Sequence, residues 1–282
     1  MALTGGDHRL GLIFVTLAAA WSTTGLFIRY LPLDAATLLV WRGVFGALGL
    51  QAFMALSGGG AALGGFARMW LPGLACAPVS AFGMVCFITS LLCTSVAHNS
   101  VIYAPVPFMA AGPAWLVARV VPGRMAMAAS LVALAGVVLV VGWGGDGGLL
   151  GDVLALAMML VIARRFPAPS TLPAACRSAL ISAGAMLRLS QGLAVPLADI
   201  PVLMAFGLVN PALGMTLFLT GSRHLPAISS GPISSLDAPL GPLWVWLVFA
   251  ETPRTPALIG GALVLAAVVA HIWNDARSVK PG

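Results

Sequence analysis

The sequence predicts an all-α membrane protein of ten transmembrane helices, built as two inverted five-helix repeats with both termini on the inner side (N-in, C-in). Three observations predict it. The 282 residues are 60% hydrophobic and only 8% charged, where a soluble domain carries about 25% charged residues. Apolar runs able to cross a ~30 Å hydrocarbon core recur along the chain, joined by short connections rich in Gly and Pro. Finally, matching motifs recur in the same order at nearly one offset.

Taken in order, the first five spans are 11–29, 35–56, 70–93, 97–119 and 125–143, with Ser57–Gly65 read as a connection. The first follows His8-Arg9 and contains Leu17-Ala18-Ala19-Ala20, as a cleaved signal peptide would. Its counterpart in the second half argues instead for a retained span. The second five are 149–163, 173–195, 201–221, 226–249 and 256–273. Residues 149–163 would reach only ~22 Å as a helix. Either that helix is short or broken beside a cavity, or the chain lacks about a turn there. Cys76, Cys86, Cys93 and Cys176 all lie in apolar segments and read as buried hydrophobes rather than disulfide partners.

The repeat rests on three matches. Ala81, Gly83, Met84 and Phe87 return 131 residues later as Ala212, Gly214, Met215 and Phe218. Pro113 and Trp115 return as Pro242 and Trp244, and Leu134-Ala135 with Val137-Val138 as Leu265-Ala266 with Val268-Val269. The repeats are therefore 1–145 and 146–282, forming one membrane domain. An odd number of spans per copy inserts the copies in opposite orientations, a design common in secondary transporters. Basic residues set the orientation. Arg9, Arg68, Arg119, Arg124, Arg164, Arg165, Arg223, Arg277 and Lys280 fall on one side, and only Arg29 and Arg254 on the other. Under the positive-inside rule the first side is cytoplasmic. The same scatter of arginines over short loops argues against a nucleic-acid partner.

The ninth span carries the most chemistry. Ser230, Ser234, Asp237 and Gly241 recur at helical spacing as one polar stripe, and Pro232, Pro239 and Pro242 interrupt the helix. A carboxylate in hydrocarbon costs about 3 kcal/mol on insertion scales, so Asp237 should face protein or a water-filled cavity. The stretch reads as a broken, cavity-lining helix, with Pro239 and Pro242 as its gating hinge. The plainer alternative for Asp237 is a buried carboxyl bonded to its serine neighbours.

The two five-helix halves, Leu225-Pro226-Ala227 and the run Leu236-Asp237-Ala238-Pro239-Leu240-Gly241-Pro242-Leu243-Trp244-Val245-Trp246 resemble the EamA-type exporters of the drug/metabolite transporter superfamily. Within that group they look closest to bacterial aromatic amino-acid exporters. The resemblance implies a central cavity and export of amino acids or related metabolites across a bacterial inner membrane. Family members often end the fourth and ninth spans in Gly-Glu; here Glu251 follows Ala250.

Other candidate substrate-binding residues are Trp21 and Thr24 on one face of the first span, Phe82 in the third, Asn99 and Tyr103 opening the fourth, and Asn210 mid-way along the eighth. Each has a plain alternative. The hydroxyls of Ser22, Thr23 and Thr24 bond back to their own helix in many proteins. Asn99 and Tyr103 suit an interface, and Asn210 suits an interhelical hydrogen bond. Arg42 is read as a snorkelling arginine, with a carboxylate anchor as the alternative. Ala110/Ala114/Ala118 and Ala262/Ala266/Ala270 are read as internal packing or a dimer face.

The expected function is secondary transport of amino acids by alternating access, by a monomer or weak homodimer in the lipid bilayer. No Walker loop and no His-Glu-x-x-His pattern occurs, and one mid-span aspartate falls short of an aspartyl pair. No enzyme, cofactor or metal is expected. An intramembrane enzyme acting on lipid-like substrates and a channel are the alternatives.

Overall fold

The structure is a computed structural model that describes residues 19–64, 71–103, 172–190, 192–222 and 237–252, with isolated positions elsewhere. Every regular element among them is a helix. The predicted spans 125–143, 149–163 and 256–273, most of 97–119 and the start of 226–249 lie largely or wholly outside the described residues.

The first helix is interrupted. Residues 19–22 are helical, Thr23 is a turn, and α1 follows at Thr24–Tyr30. Ser22, Thr23 and Thr24 each donate to the carbonyl three residues back, at 2.8, 2.6 and 2.7 Å. Three consecutive back-bonds of this kind bend a helix.

Helix α2 spans Ala35–Gly64 and is capped by Asp34, whose Oδ2 accepts the Thr37 N–H at 3.0 Å. It continues through Ser57–Gly64, where the sequence suggested a connection. Glycine lowers helix propensity by only ~1 kcal/mol per residue, and no proline interrupts the run. Helix α3 is Leu71–Cys93, and α4 is Val96–Tyr103, capped by Ser95, whose Oγ accepts the His98 N–H at 3.1 Å.

Helix α5 is Leu172–Leu187 and ends eight residues before its predicted span does. The Met186 carbonyl accepts from both Leu189 and Ser190 N–H, closing the last turn, and Gly192 then takes a φ of +149°. The stretch predicted as the eighth span divides into α6 (Ile200–Gly207), a π-helical segment (Leu208–Leu213) and α7 (Gly214–Ser222). Helix α8 is Asp237–Phe249, with Pro242 inside it.

Among the described residues, Ala35–Ser57 and Ile200–Phe218 are long and apolar enough to cross a membrane. Large apolar side chains are also exposed along several helices. On α8 alone Leu243, Trp246, Leu247, Val248 and Phe249 face outward, a patch that a water-soluble monomer rarely presents. Ala262 and Ala266, read from sequence as internal packing or a dimer face, are exposed as well.

One apolar core draws on six different helices: Ile28, Leu39, Ile88, Leu91, Val96, Phe206 and Val245. Helix α2 packs most extensively on α5, and also along α6 and the π-helical segment, while α3 packs on α5 and α4 on α8. Four connections meet at one end of the molecule. Thr37 Oγ1 donates to Gly192 O at 3.1 Å, Arg29 Nη2 reaches Thr94 O at 3.5 Å, and Arg29 Nε lies 3.5 Å from Glu251 Oε2.

Candidate functional site

Pro211 has no N–H to donate and its ring crowds the preceding turn, so an α-helix cannot run through it undisturbed. The chain answers with the π-helical segment Leu208–Leu213. Such a bulge re-aims side chains and is frequent at functional sites. Here it turns Asn210 inward until only 3% of the residue is exposed. The bulge has room because Gly46 of α2 faces Pro211, and a Cβ at Gly46 would collide with the proline ring.

Asn210 satisfies both ends of its amide. Its Nδ2 donates to Thr24 Oγ1 at 2.6 Å and approaches the carbonyls of Ala20 and Trp21 at 3.2 and 3.3 Å. Those carbonyls lie where the first helix is interrupted. Its Oδ1 accepts Arg42 Nη2 at 2.9 Å. The Asn210 carbonyl accepts the Trp21 indole N–H at 3.2 Å. Trp21 in turn lies against Phe218 and over Gly214, where no side chain would fit beside the indole. From the other side, the Trp244 indole donates to Ser22 Oγ at 2.8 Å, so α8 joins the same cluster.

The charge at the centre is Arg42. It stands about 10 Å along α2 from Ala35, at ~1.5 Å per residue, and only 4% of it is exposed. The expected snorkelling does not occur. A snorkelling arginine sends its head to water, whereas this guanidinium turns inward to the Asn210 amide and to the Phe206 ring, 5.2 Å from its centroid. Arg42 Nε is buried with no hydrogen-bond partner, and among the described residues no carboxylate pairs with it. Removing a guanidinium from water costs several kcal/mol. One amide oxygen and one π-face offset part of that cost and leave the cation able to accept an anion.

Of the residues singled out from sequence, Trp21, Thr24 and Asn210 converge in one cluster. Asn99 is buried elsewhere, at the α3–α4 junction, where its Oδ1 accepts from Ser90 Oγ at 2.8 Å. Phe82 is 57% exposed on the outer face of α3, away from the cluster. Ser230 and Ser234 lie outside the described residues, as do the side chains of Tyr103, Asp237 and Pro239. Pro242 lines a separate cavity near the Arg29 end. Sequence reasoning passed over Phe206 and the indole bond of Trp244. The one available signal was a lone charge, Arg42, in an apolar run.

No family model matches the chain, and no curated protein does. A solved structure described only as "Crystal structure of protein" aligns with 97% of this chain and 99% of its own, at a TM-score of 0.65 and 16% identity. The two chains share a fold. At that identity the likeness carries no statement about activity.

Proposed function

We propose that the chain is a secondary transporter that exports amino acids with aromatic or other uncharged side chains, and related small metabolites, across a bacterial inner membrane by alternating access. In this reading it is an EamA-type protein with ten helices, two inverted repeats and both termini inside. The carrying observation is the buried Arg42–Asn210 pair on a proline-broken helix. A guanidinium presents its donors as a planar fork that matches a carboxylate, and Arg42 keeps part of that fork unpaired. The partner for a substrate ammonium is Asp237, on sequence grounds.

Two further features support the reading. The helix pairs α3–α5 and α2 with α6 and the π-helical segment would exchange under a two-fold axis relating third span to eighth and second to seventh. The connections gathered at one end include those after the first, third, seventh and ninth spans, which an N-in topology places together outside. The π-helical segment is a natural flexing point, since it holds fewer regular backbone bonds than the helices on either side.

Counterflow in proteoliposomes tests the reading. Vesicles preloaded with an unlabelled amino acid should accumulate the labelled one, with aromatic species ahead in a panel. Folded protein that gives no trans-stimulation with any member of the panel, with or without imposed potential and pH gradients, overturns it.

A further inference from the structure

A cavity of about 470 Å³ opens at the end where the four connections meet, between the last turn of α1, the α3–α4 junction and the end of α8. Its volume is within the range of small-ligand sites. Its walls divide by chemistry. Leu92, Val96, Pro242 and Val245 supply apolar surface, while Arg29 and Glu251 bring one positive and one negative group to the same space.

The two charges hold each other loosely. Their closest approach is 3.5 Å, beyond the 2.7–2.9 Å of a charge-assisted hydrogen bond. Arg29 Nε makes no hydrogen bond, and Nη2 meets Thr94 O only at 3.5 Å. The side chains are 30% and 47% exposed, and ion pairs in such settings contribute ~0–1 kcal/mol. A ligand with its own carboxylate and ammonium replaces this pair at small cost and gains a charge-assisted bond at each end. The apolar wall then receives its side chain.

We infer that this cavity is a second binding station for a zwitterionic amino acid with an apolar side chain, Arg29 taking the carboxylate and Glu251 the ammonium. The inference rests on the transport reading for the substrate class and adds a site separate from the Arg42 cluster. In that reading the station lies at the outward end, where a released substrate pauses before leaving.

Cys93 lines the cavity and is partly exposed, so it reports occupancy without any need for transport. The experiment uses the full chain in proteoliposomes with Cys76, Cys86 and Cys176 replaced by Ala. The rate at which a small charged methanethiosulfonate labels Cys93 is measured with phenylalanine, phenethylamine or 3-phenylpropionate present. Phenylalanine should slow labelling, and the analogues carrying one charge should need concentrations at least about tenfold higher, as expected for loss of one hydrogen bond to a charged group. Arg29→Gln and Glu251→Gln should each raise the half-protecting concentration of phenylalanine by a similar factor. Equal protection by all three compounds, or none, overturns the inference. So does the result expected of a simple latch, in which the two variants speed labelling without ligand yet keep the wild-type preference for the zwitterion. Counterflow without protection leaves transport standing and removes the station. Protection without counterflow does the reverse.

Discussion

Arg42 Nη2 donates to Asn210 Oδ1 at 2.9 Å across 168 residues of sequence, and the same amide donates to Thr24 Oγ1 at 2.6 Å. One side chain thus connects the interrupted first helix, α2 and the π-helical segment. Placing a carboxylate at position 210 gives Arg42 an internal anion. On the proposed transport reading, Asn210→Asp should fold and lose most transport, because the fork proposed to meet the substrate carboxylate is occupied. Asn210→Ala strands the buried Arg42 and Thr24 groups and should destabilise by about 1–3 kcal/mol. Thermal unfolding in detergent together with counterflow separates the two effects. An Asn210→Asp protein that transports like wild type would show that Arg42 meets no anionic substrate.

Ala250 has a φ of +54°, a left-handed conformation that costs a residue with a Cβ about 1–2 kcal/mol. It closes α8 with an N–H bond to Trp246 O at 2.9 Å and turns Glu251 toward Arg29. Glycine fits such a helix end without strain, which gives a physical reason for the Gly-Glu ending common in the family that the sequence resembles. Ala250→Gly should stabilise by about 1 kcal/mol, or ~2–4 °C in Tm for a chain of this size. A lower Tm would mean that the chain gains more from restricting the unfolded state than it loses to strain.

Asp34 caps α2 in the connection after the first span. Burial alone would raise its carboxyl pKa, but the nearby Thr37 side chain and the Thr37 and Ala36 backbone N–H groups outweigh it and hold the pKa below the usual 3.8. A carboxyl depressed in the folded state stabilises above its unfolded pKa, and the contribution fades as pH falls through the folded value. Asp34→Ala should therefore cost about 1 kcal/mol at pH 7. The difference from wild type should shrink as the pH is lowered below ~4, where the wild-type carboxylate begins to protonate. Unfolding followed at both pH values checks this; a gap that stays constant would assign the loss to packing.

Asp237 opens α8. If its charge meets a substrate ammonium, Asp237→Asn should preserve folding while weakening amino-acid counterflow at least about tenfold, the scale of one hydrogen bond to a charged group. A proton role would in addition tie wild-type transport to external pH and release the variant from it. Counterflow by both proteins from pH 5 to 8 is the measurement, and equal rates throughout would make the carboxyl structural.

The composition and the recurring apolar runs determined the all-α class and the membrane character, because hydrocarbon leaves a chain few ways to satisfy its backbone. Asn210-Pro211 could be picked out in the sequence because proline breaks a helix whatever surrounds it, and Trp21 with Thr24 because helical spacing puts them on one face. Helix ends were less legible. The glycines after Ser57 and the residues after Leu187 each permit either outcome, and packing with the local hydrogen bonds selected one. The partners of each polar group were decided only by tertiary structure. Nothing local to Arg42 says whether its head turns to water or inward. That depended on Asn210 of the π-helical segment, 168 residues away, presenting an acceptor, on Phe206 of α6 presenting an aromatic face, and on Gly46 of α2 leaving room for Pro211.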